Sequence, residues 1–199
     1  MKKVILVFAV FFVAIMNAQV QVSKVAPSLI DLESSSVNWK GFKPTGEHFG
    51  AISISKGFLE INQSKLVGGA FVFEMNSIVD LDMPADNEYN AKLVRHLKSE
   101  AFFDVVKYPT AKFKITSVNE KEGKLNISGD LTIKDITKNI TFFASLSTVD
   151  RISTLTSEVF TVNRADYNVK YGSKSFFNNL KDKFIHDDFE IYFVANTMK

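Results

Sequence analysis

Between residues 125 and 133 apolar and polar side chains alternate without a miss, Leu125, Ile127, Gly129, Leu131 and Ile133 against Asn126, Ser128, Asp130 and Thr132. Successive side chains of an extended chain point to opposite faces, so this period of two predicts a strand that is dry on one face and wet on the other. The same pattern returns along most of the chain. Strands are predicted at 35–40, where Val37 and Trp39 alternate, at 51–55 around Ile52 and Ile54, at 58–62, and over a long run at 67–81. In the long run Val67, Gly69, Phe71, Phe73, Met75, Val79 and Leu81 share a face opposite Glu74, Asn76 and Asp80. Further strands are expected at 111–118, 139–147, 156–163 and 187–197, with turn signals at Lys56-Gly57, at Glu122-Gly123 and across 134–138. One-sided strands of this kind build antiparallel sheet.

The alternation breaks at residues 97–113. Upstream, Tyr89, Leu93, Leu97 and Ala101 recur at four-residue spacing with Val94 beside them, while Lys92, Arg95 and Lys98 fall on other faces, which predicts an amphipathic helix. Asp86 or Asn87 is placed to cap it, and Glu88 suits its first turn. After Phe102 and Phe103, Pro109 restricts Tyr108 to extended backbone, and Ala111, Phe113 and Ile115 restart the period of two. Residues 167–186 are less regular and leave room for a short second helix. Strands like these form a sandwich or an up-and-down barrel. Runs of nine to fifteen residues and a helix inserted midway favour an all-β fold, an extended antiparallel β-barrel. A barrel of about eight strands either fills its interior with side chains or holds one ligand. The 19 Phe among 199 residues supply aromatic surface for both arrangements, so composition does not choose.

Residues 1–18 begin with Lys2 and Lys3, run apolar from Val4 to Met16, and reach a small residue at Ala18. They read as a secretory signal peptide, because an apolar run of 13 residues falls short of the roughly 20 that span a bilayer. Residues 19–34 form a polar N-terminal arm and 35–199 a single domain. No transmembrane anchor is expected after cleavage, and the site of action is periplasmic or secreted. Without Lys2 and Lys3 the 24 basic residues become 22, equal to the 22 acidic ones. A neutral chain without a basic run gives no footprint for nucleic acid or an anionic membrane surface. No cysteine is present, so the exported domain holds without disulfides.

Residues 93–113 read LVRHLKSEAFFDVVKYPTAKF, residues 128–134 read SGDLTIK with Thr137 just beyond, and residues 163–169 read NRADYNV. In that order the first is similar to the signature of the YceI family of exported bacterial proteins, the second resembles its G-x-L-T-I strand and turn, and the third resembles its R-x-D-Y/F strand end. The resemblance spans residues 35–198. It implies a lipocalin-like barrel, no catalytic activity belonging to the family as such, and a non-covalently bound polyisoprenoid or similar apolar lipid with no other cofactor. The chain departs from the family in its first strands, where many members carry a His-Ser pair after an Asp and this one has Val37-Asn38-Trp39-Lys40-Gly41 and Gly46-Glu47-His48-Phe49-Gly50.

Inward faces would then form the ligand site: Phe71, Phe73 and Met75 of the long strand, Phe113 and Ile115 after the helix, Leu131 and Phe142 in later strands, Ile191 and Phe193 in the last. Each methylene moved out of water contributes about 0.8 kcal/mol, so a long isoprenoid needs few polar contacts. The alternative is a solid-cored barrel that works through its surface loops, at 41–49 or 171–186, as an interaction or envelope stress factor. Pairing of two barrels into a homodimer is left open.

Other chemistries have little to build from. His48, His96 and His186 are far apart in sequence, so no metal site of the familiar local kinds is expected. The acidic Asp80, Asp82, Asp86 and Glu88 do not match a calcium loop, and His96 with Glu100 reads as a solvated helix face. No nucleophile elbow or phosphate loop appears, and an enzyme using Glu47, His48 or Asp166 on a bound lipid is the weakest reading. Three Asn-x-Ser/Thr matches, at Asn62, Asn126 and Asn139, read as strand edges and turns.

Overall fold

A computed structural model of the chain describes residues 25–199, so the expected signal peptide lies outside the described residues. Ten strands follow in order: β1 (Pro27–Leu29), β2 (Ser36–Lys43), β3 (Gly46–Asn62), β4 (Lys65–Asp80), β5 (Thr110–Lys121), β6 (Lys124–Ile133), β7 (Ile136–Val149), β8 (Ile152–Ser157), β9 (Phe160–Asn163) and β10 (Asp188–Asn196). The pairing runs β2-β10-β8-β7-β6-β5-β4-β3 and returns from β3 to β2, closing an eight-stranded antiparallel barrel. β1 adds to β3, and β9 continues along β10 where β8 leaves it.

Four two-residue turns, Gln63-Ser64, Glu122-Gly123, Lys134-Asp135 and Asp150-Arg151, hold both residues at positive φ. That handedness matches the twist of the strands they join. Only Glu122-Gly123 announces itself through glycine, so the expected loop at 134–138 shrinks to Lys134-Asp135 and Gln63-Ser64 carries no visible signal.

Lys56-Gly57 is not a turn. It lies within the 17 residues of β3, beside a register shift between the Ile54 and Lys56 pairs, so the two short strands expected there are one bulged strand. β4 is bulged as well, and its phase changes with each bulge. Phe71, Phe73 and Met75 face inward as expected, but Val67, Val79 and Leu81 face solvent, while Leu66, Ile78 and Asp80 are buried. An extra residue in a bulge reverses which side chains point in. The strand expected at 156–163 is likewise split at Glu158-Val159 into β8 and β9. Within the N-terminal arm, β1 pairs with β3 and Ile30 is buried, so that part is not irregular.

The helix α1 (Glu88–Lys98) starts at Asn87, whose side chain accepts the Tyr89 N–H at 2.9 Å. It buries Asn90 and Leu97 with Leu93 half-buried beside them, whereas Tyr89 is exposed and Ala101 lies past the helix end. Residues 99–109 continue as tight turns that bury Phe102 and Val105. After a 3₁₀ turn at Arg164–Tyr167, the described residues up to 186 hold one further 3₁₀ turn, Lys181–Lys183, rather than a second α-helix.

Toward the 63–64 and 122–123 hairpins the barrel is filled, with Leu59, Ile127 and Leu155 wholly buried. Gly129 makes this packing possible. A Cβ there would stand 2.3 Å from the Phe113 ring and 2.7 Å from the Lys114 carbonyl. Gly129→Ala should therefore destabilise the barrel by about 1–3 kcal/mol, as overpacking generally does. Urea unfolding would measure it.

Candidate functional site

At the opposite end, under α1, the interior is not filled. A cavity of about 290 Å³ remains, with walls from nearly every barrel strand and a cover from Leu93, His96 and Leu97 of α1 and Phe102 and Phe103 beyond it. That is roughly twice the engineered apolar cavity of ~150 Å³ that admits benzene. The 41–48 hairpin and residues 185–186 complete the rim, joined where the His186 N–H donates to the Phe42 carbonyl at 2.9 Å.

Eight of the nine residues proposed from sequence line this cavity: Phe71, Phe73, Met75, Phe113, Leu131, Phe142, Ile191 and Phe193. Ile115 does not. It is buried one inward position nearer the filled end, against Gly69, where a Cβ on that glycine would meet Ile115 Cδ1 at 3.3 Å. The wall is built on contacting rings. Phe142 stacks on Phe160 at 4.4 Å and meets Phe193 edge-on at 5.6 Å and Phe113 at 5.6 Å, while Phe71 meets Phe193 at 6.2 Å. Such pairs add about 0.5–1.5 kcal/mol beyond area burial, so the rings hold one another as a rigid surface.

Sequence reasoning missed Phe160, Trp39, Ile78 and the helix residues. Phe160 sits at the strand break, Ile78 is shifted inward by the bulge, and Leu93 was visible only as helix stripe. His96 was read as solvated, but it lines the cavity, packed edge-on to Tyr171 at 4.3 Å and near Phe102 at 5.8 Å. Burial lowers its pKa, which keeps it neutral at physiological pH. Glu100 is exposed and plays no part with it.

Two polar clusters stand at the rim. Arg164, only 3% exposed, donates from Nε to the His186 carbonyl, from Nη1 to that of Val169 and from Nη2 to that of Ile185, at 3.1, 2.8 and 3.0 Å. Its guanidinium also lies 5.3 Å over the Phe102 ring and 3.3 Å from Asp187 Oδ1, the latter as a charge contact without hydrogen-bond geometry. A buried cation thus ties the 169–187 loop to the segment after α1. Asp187 is the counter-charge. Burial pushes its pKa up, but hydrogen bonds from Ser173 and Ser175 and the charge of Arg164 outweigh this and hold it below the ordinary value.

The second cluster joins His48 to Asp80 and Asp82. His48 Nδ1 lies 3.0 Å from Asp82 Oδ2, and Asp82 Oδ1 accepts the Phe49 N–H at 3.0 Å. Burial and the neighbouring Asp82 carboxyl push the Asp80 pKa up to about 6, while Asp82 is held low, its own burial outweighed by hydrogen bonds from Asp80, Phe49 and His48. Asp86 and Glu88 are exposed and outside this group. Glu47 pairs with Lys40 at 2.8 Å, and Asp166 is exposed.

A family model described as YceI-like domain matches residues 29–197. Among curated proteins, a UPF0312 protein of Vibrio parahaemolyticus is 37% identical over 83 residues, 38% of this chain and 44% of its own. Protein YceI of Escherichia coli O157:H7 is 36% identical over 84 residues, 39% of this chain and 44% of its own. The chain therefore aligns with somewhat less than half the length of these relatives. Among solved structures, BcnA of Burkholderia cenocepacia superposes with a TM-score of 0.69 at 20% identity, covering 85% of this chain and 99% of that one. A polyisoprenoid binding domain from Saccharophagus degradans superposes at 0.65 and 16% identity, covering 88% and 100%. At such identities the likeness is one of fold.

Replacing Arg164 by Leu leaves one buried and two part-buried carbonyls, and Asp187, without their cation. Breaking a buried pair in this way should cost about 3–5 kcal/mol, read from chemical denaturation. Because the folded Asp187 pKa is depressed, its contribution is present above the ordinary value of 3.8 and is lost as pH falls below it. Asp187→Asn should flatten that acid limb of a stability-versus-pH curve.

Proposed function

The chain belongs to the YceI family, and from that premise and the cavity we propose that it is an exported binding protein which holds an isoprenoid or another long-chain apolar lipid inside the barrel. The observation that carries this is the apolar cavity beneath α1, walled by stacked phenylalanines and left open in a barrel whose other end is tightly filled. A protein working only through its surface loops has no need of it, since unfilled interior volume costs stability. The family and the polyisoprenoid binding domain among the structural neighbours support a binding protein rather than an enzyme.

Among the described residues no helix is long and apolar enough to cross a membrane. With the signal-like residues 1–18, this supports carriage or storage of the lipid in the periplasm or outside the cell. The ligand enters by displacement of the α1 and 102–103 cover or past the 41–48 hairpin, because the filled end offers no route.

Organic extracts of protein purified from its native envelope should contain a stoichiometric isoprenoid or lipid by mass spectrometry. Phe113→Glu, which puts a charge in the wall, should abolish it. Leu93→Trp adds volume from the cover without a charge and should lower occupancy several-fold while the barrel stays folded by circular dichroism. Protein that is empty as isolated, and stays empty when offered long-chain quinones and polyprenols, would sink the reading.

A further inference from the structure

We infer that His48, Asp80 and Asp82 form a binding site for one divalent transition-metal ion of the zinc class. One ring nitrogen and one oxygen from each carboxylate lie within 4.8 Å of one another, drawn from two neighbouring strands and the loop that follows. The register that pairs Gly50 with Asp80 sets the end of β4 beside the start of β3, and the loop is pinned there. The Leu81 N–H donates to the Phe49 carbonyl at 2.9 Å, the Phe49 N–H to Asp82 Oδ1 at 3.0 Å, and the Met83 N–H to Asp80 Oδ2 at 3.2 Å.

Asp80 supplies the second, independent observation. It is 5% exposed, and beyond a proton shared with the abutting Asp82 its Oδ1 has no hydrogen-bond partner among the described residues. A buried carboxylate oxygen without a donor, adjoining a second carboxylate, is costly unless a positive species stands between them. Neither Asp is needed to hold the hairpin, since the backbone pairing of β3 and β4 does that. The cluster is therefore a set of ligand atoms in which the His48–Asp82 pair leaves Asp80 Oδ1 unserved.

The donor set indicates the ion. Calcium takes six to eight oxygens, and magnesium keeps most of its waters on an all-oxygen site. One imidazole with two carboxylates suits zinc and its first-row neighbours, and three protein ligands leave a further position for water. Binding through Nδ1 uses the neutral tautomer that carries its one ring proton on Nε2, so Lys43, whose Nζ lies 3.3 Å from Nε2 on the exposed side, turns to solvent. The site is separate from the lipid reading and survives its failure.

The test uses untagged protein stripped with a chelator, titrated with zinc chloride and separately with calcium chloride by isothermal calorimetry and native mass spectrometry. The expected result is one zinc ion per chain, with calcium at least tenfold weaker. Asp80→Asn and His48→Gln should each weaken zinc at least tenfold with unchanged circular dichroism, whereas His186→Gln should bind as the unaltered protein does. Asp80→Asn removes one of two abutting acids and so is expected to fold. Zinc should raise the Tm of the unaltered protein and not of Asp80→Asn. Absence of stoichiometric zinc, zinc binding untouched by Asp80→Asn, or a preference for calcium would each overturn the assignment and leave a proton-sharing carboxyl pair.

Discussion

The pairing of β3 with β4 is the constraint on which the rest of the molecule depends. These are the longest strands, and their ladder closes the barrel. A straight hairpin of that length would not bend round to meet β2 on one side and β5 on the other. Register shifts at three places do the bending, because each adds local twist and frees the chain from a flat pleat. The same shifts reverse the facing of β4 twice. Phe71, Phe73 and Met75 are delivered to the interior and Val79 to the outside, and Asp80, an acid, is left under cover where an apolar residue would otherwise sit.

The two ends of the barrel follow from this. At the hairpin end the inward layer is aliphatic and closes on itself around Leu59, Ile127 and Leu155. At the other end two connections, residues 81–109 and 164–187, are long, and they cannot pack as regular sheet. Their polar groups need partners all the same. Arg164 meets much of that need through three carbonyls of the 169–187 loop, while Lys134 donates from Nζ to the Phe102 carbonyl at 3.0 Å on the other side of the helix cover. These cations act as fasteners for a lid made of irregular chain, without filling the volume beneath it.

Much of this was legible in the residues. Leu125, Ile127, Leu131 and Ile133 read correctly because β6 itself carries no bulge, the register shift beside it falling in β5 between Ile115 and Ser117, so the period of two and the facing never part company. Asn87 and Pro109 marked the helix start and the strand restart through local chemistry alone. What was hidden has a common cause. Val79 and Leu81 were assigned inward because a bulge leaves no mark in hydropathy, and one added residue is enough to invert every later facing. Lys56-Gly57 resembles a turn signal that tertiary pairing overrides, and Gln63-Ser64 makes a turn that its residue types do not advertise. His48 and Asp82 are 34 residues apart, so their meeting is a property of register and not of spacing. Ile115 was assigned to the ligand wall because alternation gives the face of a strand but not the depth along the barrel.

An interior that is half filled has an energetic consequence. Unrelieved cavity volume costs about 24 cal/mol per Å³, so 290 Å³ represents on the order of 7 kcal/mol of packing that the side chains do not supply. Against a usual domain stability of about 5–15 kcal/mol that is a large fraction. A fold can carry such a deficit only if the rest is stiff, and here the walls are rings in mutual contact over a solid aliphatic end. Those rings cannot easily collapse inward, since moving Phe142 would break its contacts with Phe113, Phe160 and Phe193 together. Rigidity therefore keeps the volume open, and an apolar chain entering it restores contacts the protein lacks. On the proposed reading the ligand completes the core, which makes affinity and stability two measures of one missing set of contacts.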